Sequence, residues 1–169
     1  MPEKATVERA RQAKRAGKSP TTQAGEFVRE EIHHVREGKH GARSAKQAIA
    51  IGLSKARRSG VKLPPPPASA AEGTKQSAKS ASRAAAGRSR KASSRRSRAT
   101  RQALKREPKV AASPQALARQ AKSAARRRPA SARKASARKA AKTKGPQVRR
   151  QAARKAARTR QRRRRTPAA

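Results

Sequence analysis

Large apolar side chains are concentrated in the first 63 of the 169 residues, and this distribution limits how much of the chain can build a core. Ile, Leu, Val and Phe number ten in residues 1–63 and four in residues 64–169, and Phe27 is the one aromatic residue. A segment folds only if it buries enough apolar surface to offset its lost conformational entropy. We therefore expect residues 68–169 to be disordered when free.

The chain carries an extreme positive charge. Forty-nine Lys and Arg residues face eight Glu residues, which gives a net charge of +41. Residues 1–63 contain 15 basic and 6 acidic residues, whereas residues 64–169 contain 34 basic and 2 acidic residues. Such a charge repels itself unless a polyanion neutralises it, and nucleic acids are the abundant polyanions of a cell. The charge therefore predicts a nucleic-acid partner.

The best-defined helix is predicted over residues 44–58. Ser44 is a good N-cap, and Gln47 can reach back to its N–H to complete a capping box. Gly60 can adopt the left-handed conformation that ends a helix. Six apolar residues recur at helical spacing on one face: Ala45, Ala48, Ile49, Gly52, Leu53 and Ala56. Because most of them are small, we expect another helix to approach this face closely.

The partner helix is predicted just before it along the chain. Ser19 and Pro20 suit the start of this helix and Gly38 its end, and a weaker helix precedes it over residues 3–16. One face carries Ala24, Phe27, Val28, Glu31, Ile32 and Val35, all apolar except Glu31. We expect Phe27 to pack against Ile49 and Leu53. The short loop with Gly38 and Gly41 predicts an antiparallel hairpin of the second and third helices.

These patterns predict a mostly α fold with three parts. Residues 1–63 form a small helical module of about three helices, residues 64–67 form a proline linker, and residues 68–169 form a long, low-complexity Ala/Lys/Arg/Ser tail. Within this tail, Arg-Lys-Ala recurs without a fixed long period. Prolines divide it into segments, among them 114–128, 129–144 and 146–164, which favour helix once phosphates neutralise their charge.

Several classes of function lack the residues they require. The absence of cysteine excludes disulfides and thiol catalysis, and the longest apolar run is far too short to span a membrane. No catalytic constellation is present, so we predict no enzymatic activity and no cofactor. His33, His34 and His40 do not match the spacing of a zinc site, so we interpret them as surface histidines and predict no metal. We expect a cytoplasmic protein.

Five stretches carry a resemblance to a known family: residues 1–4, 25–32, 36–44, 46–58 and 60–66. Through them, residues 1–67 resemble an uncharacterised family of small basic bacterial proteins. The resemblance implies a bacterial source and no particular activity. In composition alone, the tail resembles the C-terminal tails of linker histones and of bacterial linker-histone-like proteins.

We therefore predict nonspecific DNA binding and compaction by a nucleoid-associated protein. Phosphate neutralisation needs only cations, whereas the stacking of single-stranded bases needs aromatic residues, which the tail lacks. An RNA- or ribosome-associated protein is one alternative. Another is a protein-interaction or self-association module at residues 19–60, with the tail as an electrostatic tether. The candidate contacts are Arg95, Arg96, Arg126, Arg127, Arg128, Arg133, Lys134, Arg138, Lys139, Arg149, Arg150, Arg154, Lys155, Arg162, Arg163, Arg164 and Arg165.

Overall fold

The predicted mostly α fold is confirmed by a computed structural model, which describes residues 2–87 and 93–165, with side chains up to residue 162. No strand occurs in these ranges. The helices are α1 (Lys4–Arg15), α2 (Pro20–Glu37), α3 (Ala45–Arg58), α4 (Glu72–Ala85), α5 (Ser94–Arg106), a 3₁₀ helix (Lys109–Ala112), α6 (Pro114–Arg127) and α7 (Ala130–Arg165).

The ends of α2 and α3 follow the predicted capping signals. The Ser19 and Ser44 hydroxyls accept hydrogen bonds from backbone N–H groups of the first turns, and Gly38 and Gly60 have φ of 81° and 86°. One detail of the capping box is wrong. The Gln47 side chain accepts from the N–H of Arg43 at 2.8 Å, one residue before the predicted donor at Ser44.

The close approach of α2 and α3 is confirmed at Gly52. A Cβ atom at this position would lie 2.7 Å from the Cα of Val28 on α2, closer than real Cβ atoms come to their neighbours. Ala48 and Ala56, one turn to either side of Gly52, are fully buried. The small-residue face of α3 therefore lets the two backbones meet, and it fixes the hairpin.

Two small apolar clusters form the core. One contains Phe27 with Ala10, Ala24 and Ala56, and Leu53 packs against it. The predicted contact region of Phe27 is confirmed for Leu53, whereas Ile49 is not a member of this cluster. The other cluster contains Val35, Ala42, Ala48, Ala111 and Ala112.

A segment far beyond the proline linker completes the second cluster. The Gly41 N–H donates to the Leu104 carbonyl at 2.8 Å, and the Ala42 N–H donates to the Pro108 carbonyl at 3.1 Å. Arg36 Nε donates to the Ala112 carbonyl at 2.9 Å. The first compact unit of the chain accordingly spans Met1–Gln120, and the second spans Ala121–Ala169. The predicted boundary at residues 64–67 implies that residues 1–63 fold independently of the rest of the chain, and this stays a prediction.

The expected disorder of residues 68–169 is wrong for the described part of the chain, which is largely helical there. Ala, Arg, Lys and Gln have high helix propensity, and in this structure that propensity outweighs the repulsion of like charges. The predicted segment borders are confirmed: α6 begins at Pro114, α7 begins just after Pro129, and Gly145 with φ of 66° interrupts α7 just before Pro146.

Candidate functional site

The predicted nucleic-acid-binding residues lie on exposed surfaces of the last three α-helices and the turn between α6 and α7. Arg95 and Arg96 are in the first turn of α5, Arg126 and Arg127 are in the last turn of α6, and Arg128 follows them. The others are on α7: Arg133, Lys134, Arg138, Lys139, Arg149, Arg150, Arg154, Lys155, Arg162, Arg163, Arg164 and Arg165. All are exposed except the last three, whose side chains lie outside the described residues.

The charges of this region have few acidic partners in the sequence. No acidic residue follows Glu107, although 22 basic residues do. The Arg128 guanidinium donates to Ser136 Oγ at 2.6 Å, and Arg149 Nε donates to the Gly145 carbonyl at 3.2 Å. These are neutral acceptors, so the positive charges of Arg128 and Arg149 remain available to an anion.

Helix α7 is built from two similar arms, which we define as residues 130–144 and 146–165. Residues 133–144 and 149–160 align without a gap, with seven of twelve positions identical, and all six basic positions in each stretch coincide. The Thr143 and Thr159 hydroxyls both donate to the carbonyl four residues earlier, at 2.9 and 3.0 Å. These two stretches are related by a shift of 16 residues.

Each arm presents a line of cations at four-residue spacing. Lys134, Arg138 and Lys142 form this line in the first arm, and three arginines at matching positions form it in the second: Arg150, Arg154 and Arg158. Residues four apart lie on the same side of a helix, and eight residues rise by about 12 Å. This length matches the width of the B-DNA major groove, about 12 Å.

A different polar site lies inside the helical module. Glu30, Glu31 and His34 come from α2, Lys55 comes from α3, and His40 comes from the loop between them. Glu31 is fully buried, and the side chain of His34 is 11% exposed. His33 is an exposed surface histidine as predicted, but the same interpretation is wrong for His34 and His40, which α2 and its loop turn inward.

We call these five residues the histidine cluster, and Glu31 is at its centre. One carboxylate oxygen lies 2.6 Å from Lys55 Nζ, and the other lies 3.2 Å from His40 Nε2. These contacts are close but poorly directed, because neither oxygen accepts a hydrogen bond of acceptable geometry. One ligand atom each of Glu31, His34 and His40 lie within 4.8 Å of one another. The arrangement can bind a positive charge between the three groups.

Outer contacts hold both histidine rings. His40 Nδ1 lies 3.0 Å from the Gly41 carbonyl, and His34 Nε2 lies 2.9 Å from Glu3 Oε1. The hydrogen bonds of His34 and Lys39 to Glu3 lower the pKa of this carboxyl below 4.5, so Glu3 is a carboxylate at neutral pH. The other ring nitrogens face the two glutamates of α2: His40 Nε2 lies 3.2 Å from Glu31, and His34 Nδ1 lies 4.0 Å from Glu30.

The sequence held one signal for this site. Glu31 interrupts an otherwise apolar helix face, and a carboxylate on a buried face needs a charged or hydrogen-bonding partner. The partners were not deducible, because Lys55 lies 24 positions later and His40 reaches Glu31 only after the chain turns at Gly38.

A comparison with known protein families found a match to a family without an assigned activity. Residues 11–66 match the model of a family of unknown function (DUF6496). The DUF6496 match covers α2, α3 and the histidine cluster, but not Glu3, the outer contact of His34. It confirms the resemblance to an uncharacterised family over these residues. No curated protein and no solved structure matches the chain. None of the described helices is long and apolar enough to cross a membrane.

Proposed function

We propose that the protein binds nucleic acid nonspecifically and compacts duplex DNA, in the manner of a linker-histone-like protein of the nucleoid. The observation that carries this proposal is the excess of positive charge after Glu107, with 22 basic residues and no acidic one. Cations that neutralise phosphates release condensed counterions, and this release drives sequence-independent binding.

The arrangement of the charge favours a duplex over a single strand. The lines of cations on the two arms have the length needed to reach phosphates on both sides of a major groove. Residues 64–169 contain no aromatic side chain on which unpaired bases would stack. Base readout needs side chains fixed against base edges, whereas these cations are exposed on the helix surface, so we expect little sequence preference.

The test is a salt titration of the full chain with two duplexes of equal length and different sequence. We expect equal affinities for both duplexes and a steep linear fall of log K with log salt, about 0.9 for each phosphate neutralised. A shallow slope, or a preference for one sequence of more than tenfold, would contradict the proposal.

A competition assay separates DNA from RNA as the partner. The full chain is bound to labelled duplex DNA, and unlabelled duplex DNA or a structured RNA of equal phosphate content is added. We expect the DNA competitor to be at least as effective as the RNA. If the RNA displaces the labelled duplex at tenfold lower concentration, the protein is an RNA-binding protein and the assignment to DNA fails.

A further inference from the structure

We propose that His34, His40 and Glu31 form a binding site for one divalent transition metal ion, with Zn²⁺ as the ion that suits these ligands best. The site is separate from the basic arms and does not depend on nucleic-acid binding. It would join α2 to the loop that precedes α3.

The hydrogen bonds of the two histidines carry the first step of this inference. A carbonyl oxygen only accepts, so His40 Nδ1 donates to Gly41, and in the neutral ring Nε2 then bears a lone pair. This lone pair faces a carboxylate oxygen of Glu31 at 3.2 Å. Two such atoms at this separation are close enough to bind the same cation, as two ligands of one metal ion do.

His34 shows the same pattern. Its Nε2 lies 2.9 Å from the Glu3 carboxylate and donates to it, which leaves Nδ1 of the neutral ring as the ligand atom, 4.0 Å from Glu30 Oε1. Metal-binding histidines characteristically donate their other N–H to a carboxylate or a backbone carbonyl. Here His34 donates to a carboxylate and His40 donates to a backbone carbonyl.

Charge and burial carry the second step. Glu30 and Glu31 have side chains only 2% and 1% exposed, and they share a single ammonium group, that of Lys55. The rings of His34 and His40 also face these carboxylates, at 4.0 Å from Glu30 and 3.2 Å from Glu31. A cation bound to the neutral rings would balance the second buried charge, which is costly to leave uncompensated in a protein interior. Lys55 Nζ is already 3.5 Å from Glu30 Oε1, so it can pair with Glu30 when Glu31 binds an ion.

Two imidazoles and one carboxylate are a usual ligand set for Zn²⁺, with metal–ligand distances of about 2.0–2.2 Å. Ligand atoms around such an ion are about 3.3–3.5 Å apart, as follows from these distances in a tetrahedron. Glu31 and His40 are already at 3.2 Å, and the ligand atom of His34 lies within 4.8 Å of theirs, so it would have to close by up to about 1.5 Å when an ion binds. Ca²⁺ and Mg²⁺ prefer oxygen ligands and fit this set poorly.

The experiment uses the full chain after treatment with a chelator and removal of nucleic acid. Zn²⁺ binding is measured by calorimetry at neutral pH, and Co²⁺ is used as a visible probe of coordination. We expect one ion per chain and the intense absorption of four-coordinate Co²⁺. A net charge of +41 repels cations, so nonspecific uptake is small.

Three variants locate the ion. His40→Ala and Glu31→Gln should each weaken Zn²⁺ binding at least tenfold, whereas His33→Ala, a matched control on the exposed side of α2, should bind as the wild type does. Circular dichroism checks that each variant keeps its helices. If the wild-type chain binds no stoichiometric ion, the cluster is an ion-pair network and the proposal fails whatever the variants do. Equal weakening by His33→Ala would also overturn it.

Discussion

At the scale of single residues, Gly52 is the position where the module tolerates least change. Gly→Ala in a helix normally stabilises by about 1 kcal/mol. At Gly52 the added Cβ would lie 2.7 Å from a backbone atom of Val28, so the helices must separate. Overpacking of this kind costs about 1–3 kcal/mol. We expect Gly52→Ala to lower the free energy of unfolding by about 1–2 kcal/mol, measured by urea unfolding of the full chain.

Gly25→Ala is the matched control for this substitution. Gly25 is also inside a helix of the same hairpin, but a Cβ there meets no atom within 4 Å. The variant should therefore gain the ordinary helix propensity of alanine, up to about 1 kcal/mol. If both variants shift stability in the same direction, the close approach of α2 and α3 at Gly52 is not what limits this position.

Lys39 pairs with two carboxyl groups, that of Glu37 at the end of α2 and that of Glu3 just before α1. The hydrogen bond from Lys39 is the largest cause that lowers the pKa of Glu37 below 4.5, whereas for Glu3 the bond from His34 is the larger cause and Lys39 the second. Lys39→Ala should therefore raise the pKa of Glu37 more than that of Glu3, measured by NMR titration of the carboxyl carbons.

The sign of the pH effect follows from these shifts. Both carboxyls have a folded-state pKa below the ordinary value of 4.5, so their stabilisation is present above pH 4.5 and is lost as the pH falls through the folded-state pKa. The pKa of Lys39 is raised above 10.5, so its stabilisation is lost only as the pH rises beyond that value. The control Lys46→Ala changes an exposed lysine on α3 and should leave both carboxyl values unchanged.

At the scale of elements, residues 104–112 dock on the helical module beside Gly41. We expect one methyl group added at Gly41 to release them. A Cβ on Gly41 would collide with the backbone carbonyl of Glu107. The Ala42 N–H reports on this docking, because it donates to the Pro108 carbonyl at 3.1 Å and exchanges with solvent only when the segment leaves. We expect Gly41→Ala to speed hydrogen exchange at the Ala42 amide several-fold relative to the amide of Leu53 inside α3.

Gly25→Ala again provides the control, since its added methyl group meets no atom within 4 Å and should keep the wild-type exchange ratio. The measurement is hydrogen–deuterium exchange followed by NMR. Exchange of the wild-type Ala42 amide as fast as that of an unprotected amide would mean that the segment is not held on the module in solution.

Elements were predictable from the sequence where their signals are local. Ser19, Ser44, Gly38 and Gly60 mark helix ends because caps act within one turn. The docking of Ala111 and its neighbours was not predictable, since buried and exposed alanines look alike in an alanine-rich segment. The histidine cluster was missed for a related reason. None of its residues has a distinctive spacing in the sequence, and only the turn after α2 brings His40 to Glu31.

At the scale of the whole molecule, charge and apolar content are separated along the chain. The carboxylates needed to balance cations are almost all in residues 1–63, and they are used in ion pairs within the module. After Glu107 the sequence has 22 basic residues and no acidic one. This division is consistent with a folded module that carries a polyanion-binding extension, the role that we propose for the two arms.

If both arms bind phosphates, they should contribute equally, because their basic positions coincide. Replacing four cations by Gln in the first arm (Arg133, Lys134, Arg138 and Lys139) or the corresponding four in the second (Arg149, Arg150, Arg154 and Lys155) should reduce the slope of log K against log salt by similar amounts. With about 0.9 per phosphate contact, the reduction for each arm is up to about 3.6.

A variant with the same change in net charge distinguishes the arms from the total charge. It replaces four exposed lysines and arginines around α1 by Gln: Lys4, Arg11, Lys14 and Lys18. If binding depends on contacts made by the arms, this variant should keep most of the wild-type slope, measured by fluorescence anisotropy with one duplex at several salt concentrations. If it lowers the slope as much as either arm variant does, the duplex responds to net charge alone, and the arms have no special role. Unequal losses from the two arms would instead show that the repeat in sequence is not a repeat in function.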